Sequence, residues 1–111
     1  MNESGIERLK PTIVNLLVAL YKETEDFKDE MSSKIAQRIR RNALRLSNAI
    51  NSVHEISREL LEKIVTRRTN FIARDLKKAT ELGLFDNDKL VFVLVILAEI
   101  RMQFFGTLET N

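Results

Sequence analysis

The fold is decided by SKIAQRIRRNALRLSNAINSVHEISRELLEKIVTRRTNFIARDLKKATEL, the stretch from Ser33 to Leu82, because its apolar residues recur mostly three or four positions apart. That spacing is typical of an amphipathic helix with one buried face. The recurring apolar positions are Ile35, Ile39, Ala43, Leu46, Ile50, Val53, Ile56, Leu60, Ile64, Phe71, Leu76 and Ala79. About half of the chain is therefore predicted to be helical.

One break or kink is predicted inside this stretch, around Asn51 and Ser52. Ser52 and Glu55 stand three positions apart, in the pattern of a capping box that would start a new helix at Val53. The helical spacing of apolar residues nevertheless continues without interruption from Ile50 to Val53. A single bent helix therefore remains an alternative to two separate helices.

The two ends of the stretch carry their own signals. Ser32 or Ser33 is predicted to cap the first turn, since a hydroxyl there can accept a hydrogen bond from a free backbone N–H. Gly83 is predicted to stop the helix in a left-handed conformation. Residues 84–85 are expected to fold back onto the core, and one of residues 86–88 is expected to cap the next helix.

An earlier helix is predicted to begin near Lys10, because Pro11 is tolerated only close to a first turn. It is predicted to end between Lys22 and Glu30. Residues 23–30 hold five acids, which would oppose the dipole at a helix C-terminus. A loop is therefore favoured over that segment.

The last helix is predicted from about Lys89 to Phe105. It contains nine consecutive apolar residues, Leu90 to Ala98, far fewer than the ~20 that a membrane-spanning helix needs. The run has strand propensity, but no second strand is predicted to pair with it. Because this helix is apolar nearly all round, it is either the central helix of a bundle or half of an oligomer interface.

Composition agrees with long helices and few turns. The 111 residues include three Gly and one Pro, and 44% of them are hydrophobic. The sequence therefore predicts an all-α fold, a four-helix bundle with short connections that forms one domain over residues 1–111. The predicted core contains Ile13, Leu17, Leu20, Ile39, Leu46, Ile50, Leu60, Ile64, Ile72, Leu76, Leu94, Leu97 and Phe104.

The absence of Cys excludes disulfides, thiolate nucleophiles and Cys-ligated metals. Residues 1–10 lack an apolar segment behind a basic cap, so no secretory signal is predicted there. We therefore expect the protein to be cytoplasmic.

Charge is distributed unevenly, although the formal net charge is only +2. Residues 31–80 hold 12 basic and 4 acidic side chains, whereas both flanking segments are net acidic. The helical spacing predicts two basic stripes, enlarged by Arg40, Arg68 and Lys77. The first stripe is Lys34, Arg38, Arg41 and Arg45, and the second is Lys63, Arg67, Arg74 and Lys78. Nucleic acid, an acidic protein partner, or the chain's own acidic segments would each complement such a surface.

If the stripes bind nucleic acid, they are expected to contact its phosphates. Arg outnumbers Lys in the stripes, which suits bidentate contacts with phosphate or carboxylate. No aromatic residue is predicted to interleave them, because Phe71 is assigned to the core side. Base stacking is therefore not expected, and no helix-turn-helix motif is evident.

Signals for catalysis are weak. The only His is His54, whose nearby carboxylates are Glu55 and Glu59, and three protein ligands are usual at a catalytic metal. The chain has no Glu-x-x-His pairs and no Gly-rich phosphate loop. The sequence therefore predicts a protein that is not an enzyme and that has no cofactor, metal or small-molecule substrate.

A specific pattern runs from residue 55 to residue 100, and the basic group Arg38, Arg40 and Arg41 is in keeping with it. The pattern consists of Glu59-Leu60-Leu61, Ile64-Val65, Arg67-Arg68, Ile72 and Asp75-Leu76, then Asn87 and Leu90 opening another helix. It resembles the helical domain of GINS-type DNA-replication subunits. The resemblance implies an all-helical, non-enzymatic subunit that assembles with other replication proteins.

The chain also departs from that family. GINS-type subunits join this domain to a small β domain, for which these residues leave no room. The chain is therefore expected to be either a relative that consists of the helical domain alone or an unrelated bundle.

The leading functional expectation is a non-catalytic assembly or adaptor subunit in a DNA transaction, which binds protein partners and forms a homo-oligomer through apolar helix faces. The alternative is a sequence-nonspecific nucleic-acid-binding protein that uses the two basic stripes. A small enzyme or a ligand pocket inside the bundle comes third.

Overall fold

The fold is an all-α four-helix bundle, seen in a computed structural model that describes residues 3–109, with side chains described for residues 6–106. The helices are α1 (Glu3–Glu23), α2 (Glu30–Asn51), α3 (Arg58–Glu81) and α4 (Asn87–Glu109). The described residues contain no strand. The predicted fold class is confirmed, and residues 90–98 are helical despite their strand propensity.

The four helices pack around a square. Each lies against two neighbours, so that α1 is diagonal to α3 and α2 is diagonal to α4. The connections are short, which makes successive helices antiparallel neighbours. The bundle measures 44 × 25 × 19 Å along its principal axes. Consequently the α2/α3 face and the α1/α4 face lie on opposite sides of the molecule.

One hydrophobic core lies between the helices and contains most of the predicted residues. Those that are buried are Ile13, Leu20, Ile39, Leu46, Ile50, Ile72, Leu76, Leu97 and Phe104. Those that are partly buried against the core are Leu17, Ile64 and Leu94. Leu60 was wrongly predicted, since it is 46% exposed whereas Leu61 is 1% exposed. Leu61 shares the buried face with Val65 and Ile72, and Leu60 lies about 100° away from it.

The start of α1 differs from the predicted start near Lys10. The helix already begins at Glu3, and Pro11 lies inside it. Ile6 and Leu9 are buried in the core, and each contributes about 1.5–3 kcal/mol of hydrophobic free energy. Together they offset the roughly 3 kcal/mol that an internal proline costs. Pro11 also lies on the exposed face, where water can bind the carbonyl group that loses its helical donor.

The predicted break between α2 and α3 is confirmed, but the predicted capping box is wrong. Residues 52–57 form the link, and Ser52 ends α2 instead of opening a new helix at Val53. The cap of α3 is Ser57, whose hydroxyl oxygen accepts a hydrogen bond from the Leu60 backbone N–H at 3.1 Å. The single bent helix is therefore excluded.

The N-terminal cap of α2 is Asp29 rather than Ser32 or Ser33. Its carboxylate accepts a hydrogen bond from the Ser32 backbone N–H at 2.8 Å, and this bond lowers the pKa of Asp29. A carboxylate at this position also interacts favourably with the helix dipole, which a serine hydroxyl cannot match. The loop predicted over residues 23–30 is confirmed for residues 24–29, whereas Glu23 ends α1 and Glu30 begins α2.

The link between α3 and α4 has the predicted features. Gly83 adopts a positive φ of 76° and ends α3. Leu84 is partly buried and Phe85 is buried, so both fold back onto the core. Asp86 caps α4, because its carboxylate accepts a hydrogen bond from the Lys89 backbone N–H at 2.8 Å.

Helix α4 is not the central helix of the bundle. It occupies a corner of the square, and side chains such as Val91, Val95 and Met102 remain exposed on its outer face. Its run of apolar residues is too short to bridge a bilayer, and none of the other helices among the described residues meets that requirement.

Candidate anion-binding groove

A groove of about 300 Å³ runs between α2 and α3 and contains part of the positive charge that the two stripes predicted. We call it the arginine groove. Its lining residues are Arg38, Arg41, Asn42, Arg45, Arg68, Phe71, Arg74 and Asp75. Five guanidinium groups from two helices therefore share one surface with a single carboxylate.

The α2 side of the arginine groove contains Arg38, Arg41 and Arg45, which follow one another at helical steps of three and four. Arg38 reaches across to α3 and donates to both carboxylate oxygens of Asp75, at 3.2 and 3.4 Å. Asp75 is buried, so this bidentate ion pair joins the two helices at the base of the groove. Asp75 thereby neutralises one of the five arginines.

Arg68 supplies the deepest guanidinium group of the α3 side. Its Nη1 donates to the side-chain oxygen of Asn42 at 3.0 Å. Its Nε is buried and has no hydrogen-bond partner, the one such side-chain atom found among the described residues. Burial, followed by the nearby charges of Arg45 and Arg67, lowers the pKa of Arg68. The interior of the groove thus holds a positive group with an unused N–H.

Apart from Arg38, the other arginines of the groove also lack carboxylate partners among the described residues. Within the part of the chain that the structure describes, neither Arg41 nor Arg45 forms an ion pair. The Arg74 guanidinium lies over the Phe71 ring, 5.3 Å from its centroid, in a cation–π contact that leaves its charge unneutralised. The groove therefore carries a net positive charge, because no carboxylate in the described part of the chain pairs with Arg41, Arg45 or Arg74.

The basic surface continues beyond the groove on the α3 side. A second concave region of about 550 Å³ between α3 and α4 includes Lys63 and Arg67 and shares Phe71 and Arg74 with the arginine groove. The predicted second stripe is therefore divided between the two regions: Lys63 and Arg67 line the second one, and Arg74 lines both. The two basic regions remain contiguous.

Three predicted site residues lie outside both regions. Arg40 points toward α1, where its guanidinium donates to the Thr24 hydroxyl at 2.9 Å and lies over the Tyr21 ring. Lys34 pairs with Glu30 at 3.5 Å. Lys78 is exposed in the last turn of α3.

Sequence reasoning missed two functional features of the groove. Phe71 was assigned to the core, but it is half-buried and lines the groove. Asn42 and Asp75, which hold Arg68 and Arg38, were not identified as site residues. A signal for Asp75 exists in the sequence, because it is the only acid between Lys63 and Thr80 and is surrounded by basic residues.

No group of three or more metal-ligating side chains occurs among the described residues. His54 is exposed in the link between α2 and α3. The expectation that the protein is not an enzyme stays a prediction.

The fold and the site together define a class of protein, namely a four-helix bundle with an arginine-lined groove along one face. Comparison of the chain with protein-family models, with curated proteins and with solved structures finds no match. The resemblance to GINS-type subunits therefore stays a prediction.

Proposed function

We propose that the protein is a non-catalytic nucleic-acid-binding protein whose arginine groove contacts the phosphate backbone without reading the base sequence. One observation carries the proposal: four guanidinium groups without a carboxylate partner line one groove. They belong to Arg41, Arg45, Arg68 and Arg74. The resemblance to replication subunits makes DNA the expected ligand.

Phosphate is the anion that fits this groove best. A guanidinium group presents planar paired donors that match two oxygens of a phosphodiester, and several such groups in a row match a polymer of phosphates. Arg68 favours the same ligand, because its buried Nε has no hydrogen-bond acceptor and a reorientation of the side chain toward a bound phosphate would supply one. Asn42 supports this role by orienting the Arg68 side chain.

Contacts to bases are not part of the proposal. Phe71 is the one aromatic residue that lines the groove, and the Arg74 guanidinium covers its ring. Stacking of bases needs open aromatic faces, whereas phosphate contacts carry no sequence information. Binding is therefore expected to be similar for unrelated sequences.

A salt titration tests this function. Labelled duplexes of two unrelated sequences are titrated with the protein at several KCl concentrations, and fluorescence anisotropy gives the dissociation constants. Four phosphate contacts predict a slope of about −3.6 for log K against log salt, since each contact contributes about −0.9. Equal slopes and affinities for the two duplexes are expected. Absence of binding at about 50 mM salt, or a strong preference for one sequence, would refute the proposal.

A second candidate function is supported by a different surface. The outer face of α1 and α4 leaves large apolar side chains exposed, among them Val18, Phe92 and Val95. Such a face is typical of proteins that associate with a partner. We therefore retain the assembly function as a second proposal, compatible with phosphate binding because the two surfaces lie on opposite sides of the bundle.

A further inference from the structure

The outer face of α1 and α4 is an apolar surface that the bundle leaves uncovered. We call it the apolar face. Six of its side chains are 54–73% exposed, and they are Val14, Val18, Val91, Phe92, Val95 and Met102. Val18 and Phe92 line the same groove of about 420 Å³ between the two helices, so the surface is continuous from α1 to α4.

The apolar face is large enough to form the centre of a dimer interface. Its six side chains are each more than half exposed, so they leave on the order of several hundred Å² of apolar surface in water, the size of patch that often marks a binding surface. A standard protein interface buries about 800 Å² on each partner. If this face packed against the same face of a second copy, the apolar side chains and the polar residues around them would together reach the size of a standard interface.

The spacing on α4 fits a copy of itself. Val91, Val95, Ala98 and Met102 are all exposed and follow one another at steps of four, three and four, the spacing of a helix–helix seam. A two-fold axis that crosses α4 between residues 96 and 97 would make the two α4 helices antiparallel. Val95 would then face Ala98 of the other copy, and Val91 would face Met102, so that each contact pairs a larger side chain with a smaller one.

The charges near the seam lie beside it. Glu99 lines the groove toward α1, and Arg101 turns toward α3, where its guanidinium donates to Asn70 at 3.1 Å. Lys89 and Glu23 form an ion pair at 2.9 Å, so their charges neutralise each other. Because this face carries few charges, it does not select a strongly acidic or basic partner, and it is compatible with an identical one.

Electrostatic repulsion would not oppose pairing through this face. The arginine grooves lie on the far side of each bundle, and each bundle is 19–25 Å thick. In a back-to-back pair the two grooves would be about 40 Å apart, several times the Debye length of about 8 Å at physiological salt.

We infer that the apolar face binds a second copy of this chain, forming a two-fold dimer in which antiparallel α4 helices meet at Val95 and Ala98. The inference deepens the assembly function by naming the partner, and it does not depend on phosphate binding. The dimer presents two arginine grooves facing in opposite directions. It would therefore hold two phosphate backbones at once.

The test is the mass of the protein in solution, measured by light scattering from about 5 to 500 μM, a range that brackets μM dissociation constants. The expected mass is twice the monomer value of 12.9 kDa at the higher concentrations. Val95→Glu should weaken the dimer at least 100-fold, because the two-fold axis places both new carboxylates in one apolar interface. Leu44→Glu is the matched control, since Leu44 is also exposed but lies on α2.

Outcomes of this test are separable. Circular dichroism confirms that each variant is folded, and Met102→Glu provides a second substitution on the same seam. A wild-type monomer at every concentration would overturn the inference, as would a folded dimer that survives both Val95→Glu and Met102→Glu. If the protein is a monomer that binds the apolar dye ANS, the homodimer is excluded but the assembly function is not. If it is a monomer that binds no ANS, the assembly function is excluded as well. The DNA titration reports separately on phosphate binding.

Discussion

Reversal of two charges in the arginine groove, Arg41→Glu with Arg45→Glu, is expected to weaken binding to duplex DNA by about 100-fold at roughly 100 mM KCl. Neither arginine forms an ion pair in the bundle, so both are available to phosphates. The substitutions remove two contacts and add two negative charges beside Arg68 and Arg74. The salt slope should therefore fall by about 1.8, since two of four contacts are lost.

The matched control is Arg8→Glu with Lys28→Glu. These two exposed residues lie on α1 and in the loop at 24–29, away from the groove, and the control changes the net charge by the same amount. Its affinity for DNA is expected to fall less than about fivefold, because exposed charges beyond a Debye length are largely screened. Equal losses in the two double variants, both measured by fluorescence anisotropy, would show that binding depends on overall charge and that the groove is not the site.

Leu46→Ala is expected to produce the largest loss of stability in our predictions, about 3 kcal/mol in the free energy of unfolding. Leu46 lies on the buried face of α2 and is completely inaccessible to solvent. Its truncation removes apolar contacts and leaves a cavity that neighbouring helices cannot fill. Urea denaturation followed by circular dichroism measures the change.

Leu44→Ala provides the comparison on the same helix and with the same chemical change. Leu44 is 43% exposed, so its truncation should alter the free energy of unfolding by less than about 0.5 kcal/mol. A loss at Leu46 no larger than that at Leu44 would contradict the assignment of the core and the orientation of α2. That orientation also directs Arg41 and Arg45 into the groove, so the stability test bears on the site.

Much of the fold could be predicted from apolar periodicity. The buried faces of α2 and α3 keep a spacing of three and four, and Gly83 ends α3 where its positive φ is needed. The glycine is a local signal, and the buried faces follow from one repeating pattern of apolar residues. The periodicity therefore determined the number of helices and most of the core.

Helix starts were harder to predict because several residues competed for each cap. Ser32 and Asp29 can both cap the first turn of α2, and the structure selects Asp29, whose carboxylate also interacts favourably with the helix dipole. Pro11 suggested a late start of α1, but burial of Ile6 and Leu9 together offsets the cost of an internal proline. Local propensity was therefore overridden by tertiary contacts at the start of α1.

The site could be predicted only in part. Two basic stripes are evident in the sequence, but which members meet depends on how α2 and α3 rotate against each other. The structure brings Arg41, Arg45, Arg68 and Arg74 together and turns Arg40 away to Thr24, just after α1. No single-helix pattern contains that information, because Arg67 and Arg68 look equivalent in sequence and line different regions.

The central claim is that the arginine groove is where phosphate binds, and its most direct test is an NMR titration that follows the Nε–Hε resonances of the arginines. A short duplex is added to ¹⁵N-labelled protein. The account predicts that Arg68 shifts most, because its buried Nε has no partner in the free protein, and that Arg41 and Arg45 shift with it. Arg40, already bonded to Thr24, should change little. An unmoved Arg68 resonance, with shifts confined to α1 and α4, would contradict the account.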